Sequence, residues 1–130
     1  MSREIRFRGK EIGGGWVHGN LVILGTGRVY IIPQNLIANN IPQYSVDPKT
    51  VGQYTGLKDR NGKEIYESDI VKGAHRSNEE WAQLQKVTYF NGCFMFGNWN
   101  AQEYFNKHTH IEVIGNIYDN PELLAKETNQ

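Results

Sequence analysis

With 14 basic and 14 acidic residues among 130, the chain has a formal charge of zero, so no global field steers it onto nucleic acid or an anionic membrane. Its length bounds it to one domain or two small subdomains, and three Trp, seven Tyr and five Phe supply material for a core. The single cysteine, Cys93, excludes an internal disulfide framework, and no apolar run reaches signal-peptide or membrane-span length, which predicts a soluble intracellular protein with no membrane partner.

Glu4 to Arg8 alternates polar and apolar with period two, which places Ile5 and Phe7 on one face of a first strand. Gly13-Gly14-Gly15 breaks the chain, Trp16 to Leu24 reads as a second strand, and Gly25-Thr26-Gly27 turns it back into Arg28 to Ile32. Pro33 ends that strand because it has no donor for a ladder. The stretch 34–50, punctuated by Asn39-Asn40, Pro42 and Asp47-Pro48, reads as a connection with one helical turn. It divides the chain into subdomains 1–50 and 51–130 of one compact unit.

In the second half, Val51 to Leu57 and Lys63 to Val71 flank Asn61-Gly62, a pair that accepts the positive φ values of a type I′ turn. Ser77-Asn78-Glu79-Glu80 has the form of a capping box and predicts a short helix with Trp81 and Leu84 on one face. Lys86 to Phe90 and Cys93 to Phe96 flank a second turn pair, Asn91-Gly92, and His108 to Ile114 is a last strand. Asn120-Pro121 then opens a terminal helix, with an Asn cap, Pro at the first position and Glu122 near the positive end of the dipole. Seven or eight short strands predict a mainly β fold: small barrel-like or sandwich subdomains built from hairpins, with one or two short helices.

Chemistry-bearing patterns are few. His108, His110 and Glu112 fall at i, i+2, i+4, so a regular strand projects all three from one face. These are ligand types of a zinc or non-haem iron site, but Ile111 and Val113 alternate with them, and the same pattern describes a half-buried strand with a solvated polar face. The solvated face is the reading adopted, and no metal or other cofactor is expected. Gly56 to Lys63 has five residues between its glycines and Glu64 after its lysine, which excludes a phosphate loop in favour of a hairpin. Cys93, between apolar neighbours, reads as a buried structural thiol. Asp59, Glu64, Glu67 and Asp69, interleaved with Lys58, Arg60 and Lys63, read as a solubilising surface. No Ser-His-Asp order or paired-carboxylate spacing stands out, so the chain is expected not to be an enzyme.

Val51-Gly-Gln-Tyr-Thr-Gly-Leu-Lys-Asp59 and Asn61-Gly-Lys-Glu-Ile-Tyr-Glu-Ser-Asp-Ile-Val71 resemble the hallmark of the YopX family of phage and prophage proteins. Glu112-Val-Ile-Gly-Asn-Ile-Tyr-Asp-Asn-Pro-Glu-Leu-Leu124 is similar to that family's second hallmark, and Ile5-Arg-Phe-Arg8 with Trp16-Val-His-Gly-Asn-Leu21 to its usual start. Ser68 stands where many members have glycine. The resemblance implies a mainly β fold with barrel-like parts and a bacterial virus or prophage as carrier, hence a bacterial host cytoplasm. It implies no activity.

Two functional readings follow. The first is a non-catalytic protein-interaction module, a homo-oligomer such as a twofold dimer or the partner of a host protein, because small β modules expose edges and aromatic hairpin tips. Trp99, Tyr104 and Phe105, in the polar stretch from Asn98, are its candidate contacts; alternatively Trp99 and Phe105 cover one end of a barrel. The second reading is a nucleic-acid-binding accessory protein. Arg6, Arg8 and Lys10 alternate along the first strand with Arg3 nearby, and Trp16, Tyr54, Tyr66 and Trp99 are available for base stacking. Net neutrality makes it the weaker of the two.

Overall fold

The computed structural model describes residues 3–34 and 42–128, with the side chains of the last helix described to Ala125. The described chain is mainly β. Its strands are β1 (Phe7–Lys10), β2 (Trp16–Ile23), β3 (Val29–Ile32), β4 (Tyr44–Ser45), β5 (Asp47–Lys58), β6 (Glu64–Tyr66), β7 (Asp69–His75), β8 (Ala82–Phe90), β9 (Cys93–Phe96), β10 (Trp99–Asn100) and β11 (His108–Asn116). Two short helices, α1 (Ala101–Lys107) and α2 (Pro121–Thr128), complete it. The strands form two open antiparallel sheets, in the orders β4-β3-β2-β1-β5-β6 and β10-β9-β8-β7-β11. Neither sheet closes on itself, so the barrel half of the expectation is not met. Among the described residues no helix is long and apolar enough to cross a membrane.

The chain divides into two units, Met1–Gly56 and Leu57–Gln130, and the division falls inside β5. In the first, Val29, Ile31 and Val46 form the core, with Phe7, Val17, Leu21 and Val51 packed against it. β1 begins only at Phe7, so Ile5 stays largely exposed. The predicted connection 34–50 instead contributes β4 and the start of β5, while the expected helical turn would fall mainly on residues outside those described. Pro48 is tolerated in β5 because the β1–β5 register shifts there, and Thr50 closes the irregularity: its hydroxyl accepts from Lys10 N–H and donates to the Asp47 carbonyl.

The second unit is built on β7, which is buried over most of its length and paired on both sides, by β8 and β11. Its core is Ile65, Val71, Val87, Phe96, Tyr104, Ile111 and Val113. Phe96 stacks on Tyr104 with ring centroids 4.9 Å apart, and Phe105 meets Phe96 edge-on at 5.5 Å. α1, absent from the sequence reading, is capped by Asn100, whose side chain accepts from Glu103 N–H at 2.8 Å. The helix expected after Ser77 is not formed. Residues 76–80 make turns, and Ala82 to Gln85 extend β8, because five consecutive β7 positions from Ile70 to Ala74 need ladder partners.

The two Asn-Gly turns differ. Asn91 and Gly92 have φ of 50° and 82°, as a type I′ turn requires. At the first hairpin only Gly62 has a positive φ, of 82°, and Gly62 N–H donates to the Asp59 carbonyl, so residues 59–62 form a type I-like turn with a glycine bulge. The Asp59 carboxylate decides this by accepting from the N–H groups of Asn61 and Lys63.

The expected strand from Lys63 to Val71 is cut in two at Glu67-Ser68. Ser68 has φ of 78°, its N–H donates to Val87 and its carbonyl accepts from Ile117 N–H, while the buried Asp69 carboxylate accepts from Tyr66 N–H at 2.7 Å. Left-handed backbone costs a residue with a Cβ about 1–2 kcal/mol. Ser68→Gly should therefore stabilise the fold by about 0.5–1 kcal/mol, after allowing for glycine's larger unfolded-state entropy. Urea denaturation reads this directly, and an unchanged or lower midpoint would refute the account.

Candidate functional site

The basic stripe on the first strand is folded onto its own aromatics. Arg8 is buried with its guanidinium carbon 4.6 Å above the Trp16 ring, and the Lys10 ammonium lies 6.0 Å from the same ring. Arg6 sits 5.0 Å over Tyr54 and pairs with Glu4, while Arg3 is exposed. Tyr54 and Tyr66 are buried and present no stacking surface. Arg6, Arg8 and Lys10 are packed over Tyr54 and Trp16, in place of lying open to a nucleic-acid strand.

The candidate contact residues are also drawn inwards. Tyr104 is fully buried in the core, Phe105 is partly buried against Phe96, and Trp99 is half-buried in β10. The segment is a capped helix that closes the second unit's core, which corrects the exposed-loop expectation. Asp59 and Asp69, expected in a solubilising surface, are buried as turn clamps. Cys93, expected buried, is exposed at the β8–β9 turn, with Sγ 3.5 Å from the Phe90 carbonyl and 3.6 Å from Met95 Sδ.

The predicted row of His108, His110 and Glu112 is broken. The β7–β11 register shifts between Thr109 and Glu112, and His110 adopts φ of 57°. One bulge reverses the alternation, so His108 turns inwards (5% exposed), as do Ile111 and Val113, while His110 is exposed. Among the described residues no group of three or more His, Cys, Asp or Glu could hold a metal ion.

What the bulge does assemble is a pocket of about 390 Å³ at the end of the second unit's core. His75, Ser77 and Asn78 line it from β7 and the following turn, and Trp81 and Gln83 from the approach to β8 and β8 itself; Gly73, Trp99 and His108 complete the lining. Around His108 the rings are tightly ordered. Tyr104 stacks on it at 4.2 Å with planes 20° apart, and Trp99 and His75 meet it edge-on at 5.0 and 5.2 Å.

Hydrogen bonds fix both imidazoles. His108 Nδ1 lies 2.9 Å from the Tyr104 carbonyl, so Nδ1 carries the proton and Nε2 is left as an acceptor. His75 Nδ1 accepts from Ser77 N–H at 3.1 Å and lies 2.7 Å from the Ser77 hydroxyl, so Nε2 carries the proton. Burial holds His108 below the usual histidine range, with the neighbouring His75 adding to the effect and the Tyr104 carbonyl opposing it. Burial also pushes the Tyr104 phenol up to about 12. Its hydroxyl is buried without a hydrogen-bond partner.

The His75–Ser77 pair is a local turn contact two residues apart. Its imidazole approaches the serine through Nδ1, and no carboxylate lines the pocket to orient the ring, so the arrangement of a serine nucleophile, base and orienting acid is not present there. Sequence reasoning missed the pocket because its residues come from four strands and a turn; the one available signal was the pair of tryptophans flanking polar residues.

The family model described as YopX protein matches residues 26–125. Among solved structures, the crystal structure of protein EF1440 from Enterococcus faecalis is similar over 95% of this chain and 99% of that one, with a TM-score of 0.56 and 23% identity. At that identity the likeness concerns the fold alone. No curated protein matches. Since the family model spans most of the sequence, including the hairpin clamped by Asp59 and the turn that leads into α2, the chain belongs to the YopX family.

Proposed function

We propose that this chain is a non-catalytic interaction protein, an accessory factor of a phage or prophage acting in the bacterial cytoplasm, and that it associates with a second copy of itself through the β8–β9 hairpin. The supporting observation is the hairpin tip. Tyr89 and Phe90 are 54% and 62% exposed, Phe94 meets Tyr89 edge-on at 5.2 Å, and β10 pairs with β9 only at Met95 and Phe96. Among the described residues, Cys93 and Phe94 therefore have no strand beside them on the side away from β8. A free antiparallel edge flanked by aromatics is self-complementary about a twofold axis, and a formal charge of zero opposes self-association with no net repulsion.

Sedimentation across a concentration series should show reversible dimers with a Kd in the micromolar range, about 8 kcal/mol of association. Tyr89→Ser and Phe90→Ser should each weaken the dimer at least tenfold, roughly 1.4 kcal/mol. Cys93 gives a second readout, because mild oxidation should cross-link the dimer at this sole cysteine and do so less in either variant. A strict monomer up to about 1 mM protein would overturn the proposal, since any association would then be weaker than about 4 kcal/mol.

A further inference from the structure

We propose that the pocket beside His108 is a binding site for an uncharged planar heteroaromatic ring of the nucleobase or nucleoside class, its polar edge read by His75 and His108. Two features point to that chemistry. The first is the lining: two indoles, two imidazoles and two side-chain amides, with no lysine, arginine or carboxylate among them. Indole faces suit a flat ring, and the absence of a cation leaves a phosphate without a counter-charge. A volume of about 390 Å³ admits a base with its sugar and falls at the low end of small-molecule sites, which span about 300–1,000 Å³.

The second feature is the fixed polarity of the two imidazoles. His75 is held with Nε2–H as a donor and His108 with Nε2 as an acceptor, their rings 5.2 Å apart. One fixed donor beside one fixed acceptor complements a ring edge that presents a carbonyl or ring nitrogen next to an N–H, as nucleobases do. Saccharide hydroxyls donate and accept alike and would need no such assignment. Asn78 and Gln83 add amides with both functions at the exposed rim.

The wall behind the imidazoles is closed by the Tyr104 hydroxyl. This hydroxyl is wholly buried and unpartnered, and it ends against Gly73, where a Cβ would lie 2.5 Å from it. Gly73 is a lining residue on the strand between Val71, in the core, and His75, in the pocket. The hydroxyl fills the space that a side chain at Gly73 would take, so it closes the core behind the pocket wall.

Titration calorimetry and tryptophan fluorescence on the full chain should show at least one of the four common ribonucleosides binding and quenching the indoles. The corresponding monophosphate should bind no more tightly than its nucleoside. Trp81→Ala, at a 64% exposed position where the fold does not depend on the side chain, should weaken binding at least tenfold. Tyr104→Phe should fold at least as stably as the natural chain, and Tyr89→Ser should bind unchanged, which separates this site from the hairpin. The proposal is overturned if no nucleoside binds, if neutral sugars or zinc ions bind in their place, if the monophosphate is clearly preferred, or if Trp81→Ala binds as well as the natural chain.

Discussion

Gly19→Ala should destabilise the protein by about 4 kcal/mol, combining about 1–3 kcal/mol of overpacking with about 1–3 kcal/mol of backbone strain. Gly19 lies in β2 with φ of 157°, opposite Phe7 of β1 and next to Asn20, which pairs with Ile32 of β3. A Cβ at Gly19 would stand 2.0 Å from the Ile32 carbonyl oxygen and 2.8 Å from Pro33 Cα. Both are backbone atoms, so no rotamer change relieves the contact. β3 would have to withdraw, and with it Ile31, which is fully buried in the first unit's core. Denaturant unfolding should show a sharply lower midpoint. Gly25→Ala is the matched control: nothing lies within 4 Å of its Cβ position, and the change should stay within about 0.5 kcal/mol. Equal effects at the two positions would refute the steric account.

The hairpins were legible in the sequence wherever local chemistry alone decides the backbone. Asn91-Gly92 gives its type I′ turn, Pro33 ends β3, and Pro121 opens α2. Legibility failed where tertiary pairing overrides a local signal. Ser77-Asn-Glu-Glu80 and Asn100-Ala-Gln-Glu103 carry nearly the same cap-and-acid pattern, yet only the second starts a helix. After Asn100, Tyr104 and Phe105 can anchor a helix on Phe96, whereas the residues after Glu80 alternate and are claimed by the ladder of β7. Even Asn120, read correctly as the residue before a helix, turns its side-chain oxygen to Asn116 N–H.

The pocket failed for a different reason. Period-two reasoning put His108 on the face of His110 and Glu112, and a single bulge at His110 moved it to the face of Tyr104 and Trp99. A bulge has no reliable signature in one sequence, so the residues facing one another across β7, β10 and β11 become known only when the register is known.

The acidic residues of the hallmark show the same limit and lead to the other large effect. Asp59 looks like one of several charges around a turn, but it joins the two hallmark segments. Oδ1 accepts from Asn61 N–H at 2.8 Å and Lys63 N–H at 2.9 Å, while Oδ2 accepts from Val113 N–H at 2.9 Å, 54 residues along the chain. Arg60 N–H adds a bond to the Ile111 carbonyl, so the hairpin tip is clamped onto β11 just beyond the bulge. Asp59→Ala should cost about 3 kcal/mol, because it removes charge-assisted bonds and leaves the Val113 N–H without its acceptor. Asp59→Asn should cost about 2 kcal/mol, since an amide can keep the turn but lacks the charge and can present a donor to Val113.

The pH dependence separates this clamp from a surface charge. Burial, the largest single influence, pushes the Asp59 carboxyl up, but the N–H groups of Val113, Lys63 and Asn61, with the Lys63 charge, together outweigh it and hold the group below the ordinary value of 3.8. A carboxyl that ionises more readily in the folded state contributes stability that is full above its unfolded pKa and is lost as the pH falls through its folded one. Urea unfolding of the natural chain should thus weaken between about pH 5 and pH 2, and the difference from Asp59→Asn should shrink across the same window. If the difference stayed constant with pH, the carboxylate's charge would have no part in holding the hairpin to β11, and the hallmark aspartate would be a turn residue only.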